Sequence, residues 1–277
     1  MSSLPDVPLS SPSSSSPPHG SPVLGFGLDL LIGIATLLFL SVLGGLAWGL
    51  WRGIEVGMQA ARDGTTPAAT EMASALGAPG ALAQMLIALF STGGAALLLY
   101  FLRRRANAAE RAQSQQALRR ASTWGCTALV AAGVFLGSSF IGWAAKQMGV
   151  EPVPTNLLLM QQAWAQYPVF LVAFAVLLAP AYEELLFRRV LFGRLWSAGR
   201  PLLGIVLSSL AFALVHEIPG ISPNSFPAML QLWLIYGGMG AAFAWVYRKT
   251  GTLWAAVIAH AVNNAVALAA MVLFGTQ

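Results

Sequence analysis

The chain has 277 residues, of which 57% are hydrophobic and only 9% are charged, and its mean hydropathy is +0.69. Soluble domains carry about 25% charged residues, so the composition excludes a soluble fold and predicts an all-α, polytopic membrane protein. The net charge of +5 does not indicate nucleic-acid binding, because the basic residues fall in short loops between apolar segments.

The first segment, residues 1–22, is rich in Ser and Pro and almost uncharged. Such a segment cannot bury a core, so we predict a disordered tail, which includes His19. The apolar run that follows is long and has no positively charged region before it. It is therefore predicted to be a retained membrane span and not a cleaved signal peptide.

Seven apolar segments are long enough to cross a membrane, at about 20 residues per span, and eight helices are the alternative. The fourth span is expected to continue past Arg188, because the apolar positions keep a helical spacing there. We divide the membrane region into N-terminal helices with a basic loop (23–120) and a helical core (121–274). The predicted spans lie near residues 24–50, 80–102, 121–147, 166–187, 201–217, 228–247 and 252–274.

Basic residues set the predicted orientation. The loops after spans two, four and six hold 12 of the 15 Lys and Arg residues. Because these are alternate loops, they share one side, which the positive-inside rule makes cytoplasmic. The sequence thus predicts a cell-membrane (bacterial inner-membrane) protein with a cytoplasmic N-terminus and an external C-terminus. The Arg-rich loop 103–120 is interpreted as a determinant of topology beside anionic lipid.

Few ionisable residues lie within the later spans, and three of them are expected to meet. Counted inward from the nearest basic residues at about 1.5 Å per residue, Glu183 and His260 lie about 16 Å deep and His216 about 24 Å deep. These depths place a carboxylate and two imidazoles near the middle of the membrane, which is typical of an active site. Glu217 follows His216 and is expected to face external water without a role.

Neighbouring polar residues also have structural interpretations. Glu184 and Arg188 are spaced i, i+4, so they are expected to form an ion pair. His260 and Asn264 have the same spacing and share a helix face, whereas Asn263 points elsewhere and is expected to form a packing hydrogen bond.

Several intramembrane hydrolase chemistries do not match these residues. A zincin site needs His-Glu-x-x-His, but Gly220 stands four residues after His216. The Gly-x-Ser-Gly motif of rhomboid proteases does not occur, and the presenilin pattern Gly-x-Gly-Asp is off by one residue at Asp29. What is left is a site built from Glu and His.

Three motifs in chain order resemble those of the CPBP family, the CaaX-prenyl-protease and bacteriocin-processing peptidases that are also called the Abi family. They are Glu183-Glu184-x-x-x-Arg188, Phe212-x-x-x-His216, and the stretch from Arg248 to Trp254 that leads to His260-x-x-x-Asn264. The resemblance covers about residues 165–270. It implies an intramembrane endopeptidase of metallo- or glutamic type.

The resemblance also implies roles for the residues of these motifs. Glu183 and His216 would activate the attacking water, and His260 and Asn264 would stabilise the oxyanion. Arg188 would hold the glutamate helix together with Glu184, and Phe212 would shape the pocket. No cofactor is favoured; if zinc is present, Glu183, His216 and His260 would bind it.

Two other classes of function remain open at this point. One is a non-catalytic membrane scaffold or bacteriocin-immunity protein on the same fold. The other is a transporter or channel with a proton-relay glutamate, which the lack of internal repeats and the small number of charges in spans one to three disfavour. The expected partners are membrane lipid and a membrane-anchored protein or peptide, with no nucleic acid, and the sequence does not indicate an oligomeric state.

Overall fold

The computed structural model describes residues 21–65 and 69–275. The predicted disordered tail therefore lies outside the described residues, except at its end, where Pro22 already begins the first helix. Proline suits this position, because the first turn of a helix does not use its backbone N–H groups.

Helices make up the described chain, and no strand occurs in these ranges. Six helices are long and apolar enough to span a membrane (α1, α3, α5, α7, α9 and α10), and α8 is a shorter apolar helix of 16 residues. The prediction of a polytopic helical membrane protein is confirmed. The helices are α1 (Pro22–Arg62), α2 (Ala69–Leu76), α3 (Ala81–Arg103), α4 (Ala108–Leu118), α5 (Ala121–Gln147), α6 (Leu157–Gln166), α7 (Pro168–Ser197), α8 (Pro201–His216), α9 (Phe226–Thr250) and α10 (Leu253–Phe274).

Helix α7 continues past Arg188 to Ser197, as the apolar spacing predicts. Two π-helical segments, Ala173–Leu178 and Leu185–Phe192, flank the short α-helical stretch that carries the two glutamates. Pro180 lies in this stretch and cannot donate a backbone hydrogen bond, which local widening of the helix accommodates. Such π-helical turns frequently occur at functional sites.

Helix α8 packs closely between α7 and α9. A Cβ atom added to Gly204 would lie 3.0 Å from the Phe192 ring, and one added to Gly240 would lie 3.0 Å from the Cα of Ser209. Both glycines therefore allow the helix backbones to approach more closely than a side chain would permit. This packing brings the C-terminal end of α8 against the glutamate segment of α7.

The loops rich in arginine meet at one end of the helix bundle. The Arg104 guanidinium donates from its Nη2 to the Gly193 carbonyl at 2.7 Å, and the hydroxyls of Ser114 and Thr252 lie 2.7 Å apart. We call this end, which is formed by residues 103–120, 193–200 and 248–254, the basic end. The prediction that these loops share one side agrees with these contacts.

The first helix is anchored at the basic end by a buried carboxylate. Asp29 in α1 is fully buried and pairs with Arg103 Nε at 2.5 Å and with Arg194 Nε at 2.6 Å. One acidic side chain thus connects α1, α3 and α7. Asp29 is therefore structural, in agreement with its mismatch to an aspartyl protease motif.

Candidate active site

Three helices bring Glu183, His216 and His260 together inside the bundle. Glu183 Oε2 lies 3.8 Å from His216 Nε2 and also 3.8 Å from His260 Nε2. Helix α7 supplies the glutamate, the last residue of α8 is His216, and α10 supplies His260. The structure thus places these side chains as the depth count predicts.

The Glu183 carboxylate is shielded from solvent, but it is not sealed. Its side chain is 16% exposed, and that of His216 is 22% exposed, whereas His260 is almost fully buried. Glu183 Oε2 itself is buried and has no hydrogen-bond partner among the described residues. A buried carboxylate oxygen without a donor is costly, so this atom is suited to receive a proton from a bound molecule.

The ring of His216 is oriented by its own helix. Its Nδ1 lies 2.7 Å from the carbonyl oxygen of Phe212, one turn earlier. A carbonyl only accepts hydrogen bonds, so Nδ1 carries the proton. In the neutral ring, Nε2 therefore directs a lone pair towards Glu183.

The ring of His260 is oriented by the second glutamate. Its Nδ1 donates to Glu184 Oε1 at 2.9 Å, and both side chains are buried. Its Nε2 faces Glu183, so His260 lies between the two carboxylates. Glu184 is therefore more than the partner of Arg188, because it also fixes the orientation of His260.

The predicted ion pair between Glu184 and Arg188 is present and fully buried. Arg188 Nε lies 3.0 Å from Glu184 Oε2, and both side chains have no exposed surface. The guanidinium also lies 4.6 Å from the centre of the Phe212 ring and within 6 Å of the Phe187 and Phe243 rings. Cation–π contacts with three rings replace the water that a buried guanidinium has lost.

Aromatic side chains form the walls of the site. Phe212 is fully buried, and its ring centre lies 4.3 Å from that of His216 and 5.9 Å from that of His260. Phe243 stacks on His260 at 4.9 Å, and Tyr236 lies 4.7 Å from His216. Each imidazole is therefore held between rings, which keeps its Nε2 directed at Glu183.

Asn264 lies one turn after His260 on the same helix. One of its amide hydrogens is donated to the Ala175 carbonyl at 2.9 Å, within the first π-helical segment of α7. Asn263 donates to the Asn264 oxygen at 3.4 Å, in line with the packing hydrogen bond predicted for Asn263. Asn264 thus ties α10 to α7 and keeps a second amide hydrogen.

The expectation that Glu217 faces external water is wrong. Its side chain is fully buried and accepts hydrogen bonds from the backbone N–H of Thr155 at 2.9 Å and from the Thr155 hydroxyl at 2.8 Å. The Asn224 amide also donates to it at 3.4 Å, and Trp233 donates to its backbone carbonyl at 2.8 Å. Glu217 therefore connects the loops that contain Thr155 and Asn224 to the end of α8, directly beside His216.

The residue types at this site suit zinc, but their spacing does not. Catalytic zinc sites use three protein ligands about 2.0–2.1 Å from the metal, so tetrahedral ligands lie about 3.4 Å apart. The corresponding separations here are 3.8 Å. Among the described residues, no group of three or more His, Cys, Asp or Glu side chains is placed so that it could hold a metal ion.

Sequence reasoning did not find Tyr236, Phe243 or the contact between Glu184 and His260. Aromatic residues are common in membrane helices, so nothing in the sequence distinguishes these two rings from those that face lipid. The second contact of Glu184 depends on the rotation of α10 relative to α7, which motif spacing does not encode.

Comparison with known proteins covers the same part of the chain. The family model described as type II CAAX prenyl endopeptidase, Rce1-like, matches residues 164–266. YdiL of Bacillus subtilis (strain 168), named as a proposed membrane peptidase, is 31% identical over 88 residues, which are 32% of each chain. MroQ of Staphylococcus aureus (strain USA300), named as a membrane-embedded CAAX protease, is 31% identical over 121 residues, 42% of this chain and 43% of MroQ. No solved structure matches the chain significantly.

The matched range contains every residue of the predicted site, from Glu183 to Asn264. The resemblance to CAAX-type peptidases is therefore confirmed for this part of the chain. The alignments span about a third to two fifths of the length of the curated relatives.

Proposed function

We propose that the protein is an intramembrane endopeptidase that hydrolyses peptide bonds of membrane-associated proteins with a water activated by Glu183. The observation that carries this proposal is the position of the buried Glu183 Oε2, 3.8 Å from the Nε2 atoms of two histidines on two other helices. The match of residues 164–266 to a peptidase family supports it.

In the proposed reaction, a water molecule donates one hydrogen to Glu183 Oε2 and the other to His216 Nε2. Glu183 takes a proton as the water oxygen attacks the carbonyl carbon of the substrate. The proton is then passed to the leaving amine nitrogen as the C–N bond breaks, which regenerates the carboxylate. One water is consumed, and one new carboxyl group and one new amine are formed.

The oxyanion of the tetrahedral intermediate is assigned to His260 and Asn264. With a proton on each ring nitrogen, His260 donates to Glu184 from Nδ1 and to the oxyanion from Nε2. The buried groups Glu183, Glu184, Arg188 and His260 are then neutral in total. Asn264 supplies its second amide hydrogen, and one such donor is worth about 3–4 kcal/mol in the transition state.

The substrate is proposed to be a membrane-anchored protein or peptide, since the site lies within the helix bundle. The test is comparative membrane proteomics of a deletion strain and a strain with Glu183→Ala. Both strains should accumulate the same uncleaved precursor. If the Glu183→Ala strain processes every precursor that accumulates in the deletion strain, the protein acts as a scaffold and the proposal is wrong.

Metal removal is expected to leave cleavage intact, because the 3.8 Å separations suit a shared water better than zinc ligands. The measurement is zinc content and cleavage rate before and after dialysis against EDTA and 1,10-phenanthroline. A zinc peptidase treated in parallel should lose its activity. Stoichiometric zinc whose removal abolishes cleavage, and whose return restores it, would contradict the metal-free mechanism.

We also propose that the basic end faces the cytoplasm of the cell, which places the N-terminus there and the C-terminus outside. The test uses a Cys126→Ser background, because Cys126 is the only cysteine. In whole cells, a membrane-impermeant maleimide should label Glu151→Cys and not Gln115→Cys, since these two exposed residues lie on either side of α5, Gln115 in α4 before it and Glu151 in the loop after it. The reverse pattern of labelling would invert the topology.

A further inference from the structure

A cavity lies at the basic end, beside the helix α7 that carries the active-site glutamates. It has a volume of about 300 Å³ and is covered by the polar helix α4. Leu185, which directly follows Glu184, forms part of its inner wall, and Arg189 lies one turn further along α7. The cavity is separate from the Glu183 site, because no residue that lines the cavity belongs to that site.

The charges on its walls are not balanced. Three arginines, Arg104, Arg111 and Arg189, line the cavity together with one acidic residue, Glu110. Both carboxylate oxygens of Glu110 accept hydrogen bonds from Arg189, one from Nη1 at 2.9 Å and one from Nη2 at 2.8 Å. The other two arginines have no carboxylate within ion-pair distance among the described residues, so the wall carries an excess positive charge.

Arg104 is the most unusual of these arginines. It is half-buried, its Nη2 donates to the Gly193 carbonyl and the Ser197 hydroxyl, and its Nε is buried without a hydrogen-bond partner in the described chain. Burial, followed by the nearby charges of Arg189 and Arg194, lowers the pKa of Arg104 to about 10. A bound anion would relieve this unfavourable placement of a cation.

Glu110 does not take over this role, because it is committed to Arg189. Burial acts to raise the pKa of the Glu110 carboxyl, but the hydrogen bonds from Arg189 and from the Asn107 backbone outweigh it and lower this pKa. Glu110 also closes a capping box with Asn107 at the start of α4. The carboxylate is therefore held in place and does not reach Arg104.

The other walls of the cavity combine polar side chains of α4 with apolar side chains of the neighbouring helices. Trp196 and Trp254 line it, and Trp254 is 54% exposed. Tryptophan is enriched at the level of lipid headgroups, and the cavity lies where α3, α7 and α9 end. A ligand with a phosphate beside glycerol and acyl groups matches this combination of arginines and apolar rings.

We propose that this cavity binds the phosphate of an anionic phospholipid from the leaflet at the basic end. Arg104 and Arg111 contact the phosphate, and Trp196 and Trp254 contact the glycerol region. The proposal does not depend on peptidase activity, because it concerns binding at a separate site.

The test is native mass spectrometry of the full-length protein in detergent, titrated with dioctanoyl phosphatidylglycerol. An ion pair between a partly exposed arginine and an anion contributes up to about fivefold in affinity. Arg111→Gln should therefore weaken binding up to about fivefold, and Arg104→Gln/Arg111→Gln up to about 25-fold. Arg104→Lys keeps the charge and should retain most of the affinity, which separates charge from packing.

The matched control is Arg105→Gln. Arg105 is exposed, belongs to the same loop, packs over Phe101 and does not line the cavity. Its substitution should leave binding unchanged, and dioctanoyl phosphatidylcholine should bind the wild type more weakly than phosphatidylglycerol. Equal losses in Arg105→Gln and Arg111→Gln would show nonspecific attraction and overturn the proposal.

Two further ligands distinguish the sources of the anion. Glycerol 1-phosphate should compete poorly, and competition as strong as that of the lipid would assign the cavity to a free phosphate compound. A precursor-derived peptide with a free C-terminal carboxylate should not displace the lipid. Displacement by this peptide, but not by its amidated form, would assign the cavity to substrate and overturn the lipid proposal.

Discussion

Replacing Glu183 by glutamine is expected to lower kcat for peptide cleavage by about a thousandfold or more. Glutamine keeps the size of the side chain but cannot take a proton from water, and general-base catalysis contributes about 10²–10⁴-fold. KM is expected to change little, because the carboxylate acts on water and does not hold the peptide. The measurement is the steady-state rate of the purified protein on a precursor identified by proteomics.

Glu151→Gln is the matched control for this substitution. Glu151 is 74% exposed and pairs only loosely with Lys146, at 3.9 Å, so its loss should leave the rate unchanged. Both variants should elute and unfold like the wild type in detergent. If Glu183→Gln keeps about a tenth of the wild-type rate or more, another group takes the proton and the assignment of Glu183 is incorrect.

The membrane spans could be predicted from the sequence because hydropathy and helix length are local properties. The predicted span near 80–102 is observed as Ala81–Arg103, and the one near 121–147 as Ala121–Gln147. The first helix differs most, since it continues to Arg62. In the second half of this helix, Arg52 and Glu55 form an ion pair at 2.6 Å. Ion pairs at this spacing stabilise a helix, so the helix continues beyond its apolar segment.

The site could be predicted in its residues but not in its contacts. Glu183, His216 and His260 stand out because ionisable groups are costly within a membrane, and the depth count brings them to a similar level. Glu217 is equally costly, but its position directly after a span suggested exposure. Only tertiary structure shows that Thr155, 62 residues earlier in the chain, and Asn224, in the loop that follows Glu217, donate hydrogen bonds to its carboxylate.

The buried pair of Glu184 and Arg188 is expected to give the largest effect on stability. Arg188→Met removes the cation, keeps an apolar side chain among the phenylalanine rings, and leaves Glu184 as an uncompensated charge. Removing one partner of a buried ion pair typically costs about 3–5 kcal/mol. The free energy of unfolding, measured by titration with SDS in mixed micelles, should fall by about this amount.

Adding Glu184→Gln to Arg188→Met should restore part of the lost stability, because the uncompensated charge is then gone. Arg105→Met is the control, since this exposed arginine has no carboxylate partner among the described residues. It should leave the unfolding midpoint unchanged. A double variant no more stable than Arg188→Met alone would mean that the aromatic contacts of Arg188, and not its charge, stabilise the fold.

The double variant should regain stability but not catalytic activity, because Glu184 contacts both Arg188 and His260. Glutamine at position 184 still accepts a hydrogen bond from His260 Nδ1, but it carries no negative charge to form an ion pair with the ring. Complete removal of one oxyanion donor typically costs about 10²–10³-fold in kcat, and loss of the Glu184 charge weakens such a donor without removing it. The double variant should therefore fold better than Arg188→Met and still cleave at least about tenfold more slowly than the wild type. Full activity would restrict Glu184 to a structural role and would leave His260 without the charge that our mechanism requires.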